Sequence, residues 1–204
     1  KDEIPAVLAL PEKILLLAEL FSDRLADLVT NWLRVGFCQG NFNSDNCAAG
    51  GYTLDYGPFG FCELFEPEFQ PWTGGGRHFS FFNQPMAAQK NFDMFCSTLS
   101  HLLTNGSEAK DKLGVIQSNF SNVIQSKLEP MWASKLGMQV YDSELFVNLI
   151  KLMIKTSVDY TVFFRELSHI PSDVSAIEIS FYKQLDDELK QHWQPWLDKW
   201  RAKL

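Results

Sequence analysis

The sequence lacks the features that would indicate a membrane-spanning, nucleic-acid-binding or disulfide-dependent protein. No apolar run approaches the roughly 18–20 residues that a membrane-spanning helix needs. Its 18 basic residues are outnumbered by 25 acidic ones, and the net charge of −7 provides no basic surface for a nucleic-acid backbone. Its four cysteines form no C-x-x-C pair and no zinc-type spacing. We therefore expect free cysteines, no membrane span and no nucleic-acid partner.

Apolar and aromatic residues, by contrast, are plentiful. Hydrophobic residues make up 46% of the chain, and the aromatic residues include 17 Phe and 6 Trp. This composition lies well above the range of disordered chains and is sufficient for a bulky core. Because 204 residues suit one domain better than two, the sequence predicts one substantial globular domain.

The apolar spacing from residue 12 to residue 35 predicts a helix that faces the core. Pro11 suits its first turn and Gly36 suits its end. The apolar residues recur every three or four positions, as one face of a helix requires: Ile14, Leu17, Phe21, Leu25, Leu28 and Trp32.

Residues 36–85 have a different character, because nine of the twelve glycines lie between residues 36 and 76. Glycine, proline and clustered polar residues favour turns, so this segment is expected to consist of loops and short strands. The alternating residues 52–54 and 78–81 are its best strand candidates.

A helical period returns after Pro85 and predicts five or six helices. Apolar residues mark segments near 88–102, 113–131, 145–154 and 159–167. Ser172 is expected to cap a last long helix that continues to Leu189. Pro195 is then expected to open a terminal turn that carries Trp196 and Trp200.

The glycine-rich segment contains a spacing that is typical of a kinase-type magnesium site, in which an Asn and an Asp hold Mg²⁺ against nucleotide phosphates. Aligned with H-R-D-x-x-x-x-N, Gln39-Gly40-Asn41 takes the place of H-R-D and Asn46 that of the Asn, while Asp55-Tyr56-Gly57 replaces D-F-G. Asn41 cannot accept a proton, so this alignment predicts a pseudokinase. Asp45 is the nearest carboxylate that could replace the missing base. Because Asn, Asp and Gly also favour turns, a purely structural loop remains open from this spacing alone.

Longer runs around this motif resemble the selenoprotein O family. Residues 36–46, G-F-C-Q-G-N-F-N-S-D-N, are similar to that family's G-F-x-H-G-V-x-N-T-D-N. Residues 52–61, Y-T-L-D-Y-G-P-F-G-F, are similar to T-I-D-Y-G-P-F-G-F. Similar segments continue through nearly the whole chain: Phe65–Phe69, Gly76–His78, Asn83–Pro85, Lys135–Gly137, Val158–Arg165 and Trp196–Ala202.

This resemblance implies a mainly α fold, the C-lobe of a protein-kinase-like domain with a small β-hairpin around the catalytic and metal-binding loops. Residues 1–204 would form a C-lobe segment of a larger protein, with the active-site loops in 36–85 and a helical region in 86–204. The nucleotide-gripping N-lobe and a C-terminal tail would lie outside these residues, so the segment alone is expected to be inactive.

The resemblance also implies ATP-dependent adenylylation of Ser, Thr or Tyr hydroxyls on protein substrates, with release of pyrophosphate. By position, Asp45 would be the general base, and Asn46 and Asp55 would hold Mg²⁺ or Mn²⁺. Asp55 would also contact the nucleotide. Cations that bridge the phosphates would neutralise charge on the departing pyrophosphate, and Asp45 would orient the incoming hydroxyl.

Three positions depart from the family pattern, since Gln39 replaces a His, Asn41 a Val and Ser44 a Thr. Any charge that the His supplied is absent in Gln39. This change and the missing N-lobe favour an alternative, a non-catalytic pseudokinase that serves as a scaffold subunit of a larger complex. The resemblance further implies a mitochondrial or plastid location for a eukaryotic protein and a cytoplasmic one for a bacterial protein.

Overall fold

A computed structural model describes residues 3–204, which fold into six α-helices and one two-stranded antiparallel sheet. The strands are β1 (Phe37–Gln39) and β2 (Phe59–Phe61). The fold is therefore mainly α with a small sheet, as expected, and no helix in this part of the chain is long and apolar enough to cross a membrane. The helices are α1 (Leu10–Val35), α2 (Gln84–Ser100), α3 (Glu108–Lys135), α4 (Ser143–Thr156), α5 (Tyr160–Leu167) and α6 (Asp187–Arg201).

Helix α1 begins and ends where its sequence predicts. Pro11 lies in its first turn, and the Glu12 carboxylate accepts a hydrogen bond from the Ala9 N–H at 2.9 Å. Gly36 ends the helix in the left-handed region, with φ at 79°. A side chain there would be strained and would also meet the Tyr160 ring at 3.1 Å. The helix thus stops at a fixed point, and β1 starts at the next residue.

Two apolar clusters make up the core, and both exploit aromatic residues. One lies where α1, α2 and α3 pack together, and its rings include Phe21, Phe92 and Phe120. The other joins the C-terminal part of α3 to the helices after it, around Phe163 and Trp193. The Tyr160 hydroxyl donates to the Leu33 carbonyl at 2.7 Å and so ties the second cluster to the end of α1. All four cysteines are free, as predicted.

The two strand candidates of the glycine-rich segment were wrong. Thr53 makes only an isolated antiparallel bridge with Cys47. Residues 78–81 fall in two successive 3-10 turns, Arg77–Phe79 and Phe81–Asn83. Phe79 and Phe81 are both buried, and their spacing in the sequence resembles the alternation of a strand. The backbone is not extended there, because the Phe79 N–H donates to the nearby Gly76 carbonyl at 3.2 Å.

The predicted helix from Ser172 to Leu189 was also wrong. A 3-10 helix, Val174–Ser180, occupies its first part, and α6 starts only after Asp186, whose carboxylate accepts from the Leu189 N–H at 2.8 Å. Ser172 caps neither element, because the cap of the 3-10 helix is Asp173, whose carboxylate accepts from the Ser175 N–H at 2.8 Å. Pro195 does not open a turn but lies inside α6. The three tryptophans at 193, 196 and 200 share one helix face and are buried.

Candidate active site

Strands β1 and β2 form one hairpin, and both parts of the kinase-type motif lie in the segment that connects the two strands. Gln39 pairs with Phe59 at the end of the ladder, and the Gly40 N–H donates to the Pro58 carbonyl at 2.7 Å. A Cβ at Gly40 would lie 2.4 Å from that carbonyl oxygen, so only glycine allows this approach. The two ends of the connecting segment, 41–57, are therefore held close together by the sheet.

A second closure inside this segment brings the arms together again. Cys47 and Thr53 form an antiparallel bridge, and the Trp32 indole N–H donates to the Thr53 hydroxyl at 3.0 Å. Asn46 immediately precedes the bridge and Asp55 follows it by two residues. The bridge therefore places these two sequence-predicted ligands on facing arms of the same hairpin loop.

The turn Ser44–Asn46 orients the Asn46 side chain. The Asn46 backbone N–H donates to the Asn43 carbonyl and the Asn46 side-chain amide donates to the Asn41 carbonyl, both at 2.9 Å. Since the amide nitrogen is engaged, the side-chain oxygen is the atom left to act as a ligand. Within residues 3–204 no donor reaches that oxygen.

Asp55 is half-buried and forms no ion pair within the described residues. A Cβ at Gly57 would lie 2.8 Å from its carboxylate, so Gly57 leaves the space that Asp55 occupies. Residues 3–204 contain no cluster of three or more His, Cys, Asp and Glu side chains that could hold a metal by themselves. One carboxylate and one amide oxygen nevertheless fit Mg²⁺, which takes few protein ligands when phosphates and water complete its shell.

Asp45 faces a different space from the other two residues. It is exposed and lines a groove of about 680 Å³ between the 42–45 loop and α2, whereas Asn46 and Asp55 do not line it. Met86, Lys90 and Met94 form the α2 side of this groove. The structure thus separates Asn46 and Asp55 from the Asp45 carboxylate, which opens toward the groove along α2.

Two amide side chains of α2 hold the 42–45 loop and the end of β1 that precedes it, and no role was assigned to either from the sequence. Asn91 donates to the Phe42 carbonyl at 2.9 Å and accepts from the Ser44 hydroxyl at 3.0 Å. Gln84 accepts from the Gln39 N–H and donates to the Gln39 carbonyl, each at 3.2 Å, and donates to the Phe79 carbonyl at 2.6 Å. Only the resemblance around residues 83–85 drew attention to Gln84, and no sequence signal marked Asn91.

Two further side chains near the loop have no evident part in the chemistry. Burial raises the pKa of the Cys47 thiol to about 12, so it stays protonated and is a poor nucleophile. Gln39 is only 1% exposed, and neither atom of its side-chain amide has a hydrogen-bond partner in the described part of the chain. The residue that replaces the family His is thus a buried polar group without compensation.

Comparison with known proteins places most of the chain in one family. Residues 7–204 match the family described as Protein adenylyltransferase SelO. The chain is 31% identical over 190 residues to the Protein nucleotidyltransferase YdiU of Cytophaga hutchinsonii, which covers 87% of the chain and 36% of that relative. It is 32% identical over 208 residues to the YdiU of Alcanivorax borkumensis, with 98% and 40% covered. The chain therefore spans well under half the length of these relatives.

Proposed function

The chain belongs to the SelO family, and we propose that the protein is an ATP-dependent protein adenylyltransferase. In this reaction a Ser, Thr or Tyr hydroxyl of a protein substrate attacks the α-phosphorus of ATP. A new P–O bond forms, the bond to the pyrophosphate breaks, and the hydroxyl proton passes to a base. The observation that carries the proposal is the Cys47–Thr53 bridge, because it holds Asn46 and Asp55 on facing arms of one loop. The names of the relatives support nucleotidyl transfer.

Asn46 and Asp55 are the residues that would hold Mg²⁺, or Mn²⁺ in its place. The Asn46 amide is turned so that its oxygen is free, and the Asp55 carboxylate is not engaged by any cation of the described chain. A bound Mg²⁺ supplies neutralisation of the negative charge on the phosphates. In this proposal Asp55 also contacts the nucleotide and so helps to fix the position of the nucleotide relative to the loop.

Asp45 is the general base of the proposal. Its exposure at the mouth of the groove lets an acceptor hydroxyl approach it directly, which a buried carboxylate would not allow. Proton transfer to a positioned carboxylate contributes about 10²-fold or more to such reactions. Asn91 and the 3-10 turn act by holding the Asp45 backbone in place.

Transfer of label from ATP carrying ³²P at the α-phosphate, measured with the full-length protein, tests the proposal. Asp55→Asn should abolish Mg²⁺-dependent ATP binding in calorimetry together with transfer. Asp45→Asn should leave ATP affinity within a few-fold and reduce transfer by about 10²-fold. Asp111→Asn, which changes an exposed carboxylate of α3, is the matched control and should change neither. Wild-type ATP affinity in Asp55→Asn would rule out the metal assignment, and label only from the γ-phosphate would indicate phosphorylation instead.

The buried, unpartnered amide of Gln39 favours a second candidate, a non-catalytic pseudokinase that acts as a scaffold subunit. A site that has lost its charged residue next to the catalytic loop can persist for structural reasons. The absence of α-label transfer with either Mg²⁺ or Mn²⁺, in a protein that still folds, would favour this candidate over the enzyme.

A further inference from the structure

A second cavity, of about 900 Å³, lies between the C-terminal halves of α1 and α3 and the start of α5. It shares no lining residue with the groove beside Asp45. None of the residues assigned to nucleotide transfer lines it either. Any ligand of this cavity would therefore be additional to the proposed reaction.

The cavity concentrates positive charge in a chain whose net charge is −7. One carboxylate, Asp27, lines it together with four cationic side chains, which are Arg34, Lys127, Lys135 and Arg165. Two of the cations are already neutralised, because Lys127 pairs with Asp27 at 2.8 Å and Arg165 pairs with Glu166 at 3.1 Å. Across residues 3–204, Arg34 and Lys135 form no salt bridge. These two cations are the charges available to an anion.

The Lys135 ammonium is held at the cavity by groups that leave its charge uncompensated. It donates to the Arg34 carbonyl at 2.7 Å and lies 4.7 and 4.1 Å from the centroids of the Tyr160 and Phe164 rings. Burial and the neighbouring Arg34 guanidinium lower the pKa of Lys135 to about 8. A nearby anion would favour the protonated form and would be attracted by it.

The remaining wall contains both apolar surface and unused polar groups. Met131 and Phe164 supply apolar area. The Thr30 hydroxyl is buried without a hydrogen-bond partner, in a residue that is only 6% exposed. Pro130 lies inside α3 and has no N–H, so the Ser126 carbonyl lacks its usual helical donor. The accessible part of this wall is thus apolar, and it suits a ligand with an apolar body.

We propose that this cavity binds a small organic oxyanion, a carboxylate, sulfonate or phosphate carried on an aromatic or apolar body. Arg34 and Lys135 bind the anionic group, since a guanidinium and an ammonium together match the oxygen atoms of such a group. Phe164 and Met131 pack against the body.

A matched pair of fluorescent probes tests the two parts of this proposal separately. 1-Anilinonaphthalene-8-sulfonate has an aromatic body and a sulfonate, and N-phenyl-1-naphthylamine has the same body without the charge. The full 204-residue chain should bind the sulfonate about 100-fold more tightly than the neutral probe, the scale of two charge-assisted hydrogen bonds, one from Arg34 and one from Lys135. Equal affinity for both probes would contradict a role for Arg34 and Lys135.

Substitutions then identify the cavity. Arg34→Gln and Lys135→Met should each weaken the sulfonate by about tenfold and leave the neutral probe unchanged. Lys90→Met, in the groove beside Asp45, is the matched control and should change neither affinity. If Lys90→Met abolishes sulfonate binding and Arg34→Gln does not, the proposal is wrong. Arg34 is exposed, so its variant remains informative if Lys135→Met unfolds the chain.

The pH dependence gives an independent readout. The charged and titratable groups that line the cavity together with Lys135 are Arg34 and Asp27 of α1, Lys127 of its own helix, and Tyr160 and Arg165 of α5. Burial raises the pKa of Tyr160 well above its usual value, and its ion pairs raise that of Lys127, so neither gains or loses charge near pH 8. Sulfonate affinity should therefore fall as the pH rises from about 7 to about 9.5 in the wild type. An equal fall in Lys135→Met would overturn the assignment of this charge.

Discussion

The helical part of the molecule and the loop segment between β1 and α2 are held together by different forces. The helices bury apolar and aromatic side chains, and rings such as Phe163 and Trp193 are completely enclosed. The segment 40–58 buries few side chains of its own. Asn91 reaches it from α2 and donates to the Phe42 carbonyl, and Gln84 bonds to Gln39 at the end of β1, immediately before the segment. A packed interior tolerates few changes of volume, whereas the loop depends on a few directional bonds.

This difference has a physical origin. A loop that passes close to a core must satisfy each buried backbone N–H and carbonyl, and it has no ladder or helix to do so. A side-chain amide can donate and accept at once, so one Gln replaces two ladder bonds. The site can therefore be disturbed locally by changes in α2 that barely affect the core.

The largest expected effect is a cavity in the helical part. Phe163→Ala should lower the free energy of unfolding by about 3–5 kcal/mol, because the ring is fully buried among the rings of Phe164, Trp193 and Trp196 and its loss leaves a cavity. Urea denaturation measures the loss. Ile179→Ala, at a side chain that is 70% exposed, is the apolar control and should stay within about 0.5 kcal/mol of the wild type. A loss below that of the loop variants described next would contradict the contrast between the two regions.

The end of β1, from which the loop segment starts, should respond most to Gln84→Leu, which leaves the Gln39 N–H and the Gln39 and Phe79 carbonyls without their partner. Because these buried polar groups are then unpaired, the free energy of unfolding should fall by about 2–3 kcal/mol. Gln125→Leu, an exposed glutamine of α3, is the matched control. Amide hydrogen exchange should also accelerate at residues 37–42 and not in α6. Uniform acceleration throughout the chain would mean that Gln84 stabilises the core instead of the loop.

The helical part was largely predictable from the sequence, because period and end signals act over short distances. α1 shows this most clearly, with Pro11 at one end and Gly36 at the other. The error after Ser172 arose because Ser172 and Asp186 are both residues of a capping type that precede apolar residues, and only Asp186 caps an α-helix. Local signals could not decide between them. The outcome depended on where Phe181 pairs with Val158, a contact across the chain.

In the loop segment the motif could be predicted from the sequence, but the side chains that hold the loop in place could not. The spacing of Asn46 and Asp55 could be recognised in the sequence, and the bridge beside them agrees with that spacing. The strands β1 and β2 are three residues each, too short for a period to register. The role of Asn91 depends on where α2 passes the loop, and the cavity at Lys135 forms between helices that are distant in sequence. Assignment of Asp45, Asn46 and Asp55 to chemistry stays a prediction.

Asn91→Leu should separate positioning from folding. Loss of its bonds to the Phe42 carbonyl and the Ser44 hydroxyl should cost about 1–2 kcal/mol of stability. In the full-length protein, transfer from α-labelled ATP should fall about tenfold with ATP affinity unchanged, because Asp45 loses its fixed position whereas Asn46 and Asp55, the Mg²⁺ ligands of our proposal, do not. Asn122→Leu, an exposed Asn of α3, provides the control. A parallel loss of ATP affinity would mean that Asn91 supports the metal-binding arm as well.

The smallest expected effect is an increase in stability, whereas the other variants are expected to lower it. Gln39 and Gln84 are both buried glutamines in the same contact, but the Gln39 side chain has no partner and its backbone bonds do not depend on it. Gln39→Met keeps the length of the side chain and removes two uncompensated polar atoms, so the free energy of unfolding should rise by about 1 kcal/mol. Gln39→Glu places a charge in the same space and should lower it. If Gln39→Met instead destabilises the protein as much as Gln84→Leu, the Gln39 amide has partners after all. The loop would then depend on both glutamines and not on Gln84 alone.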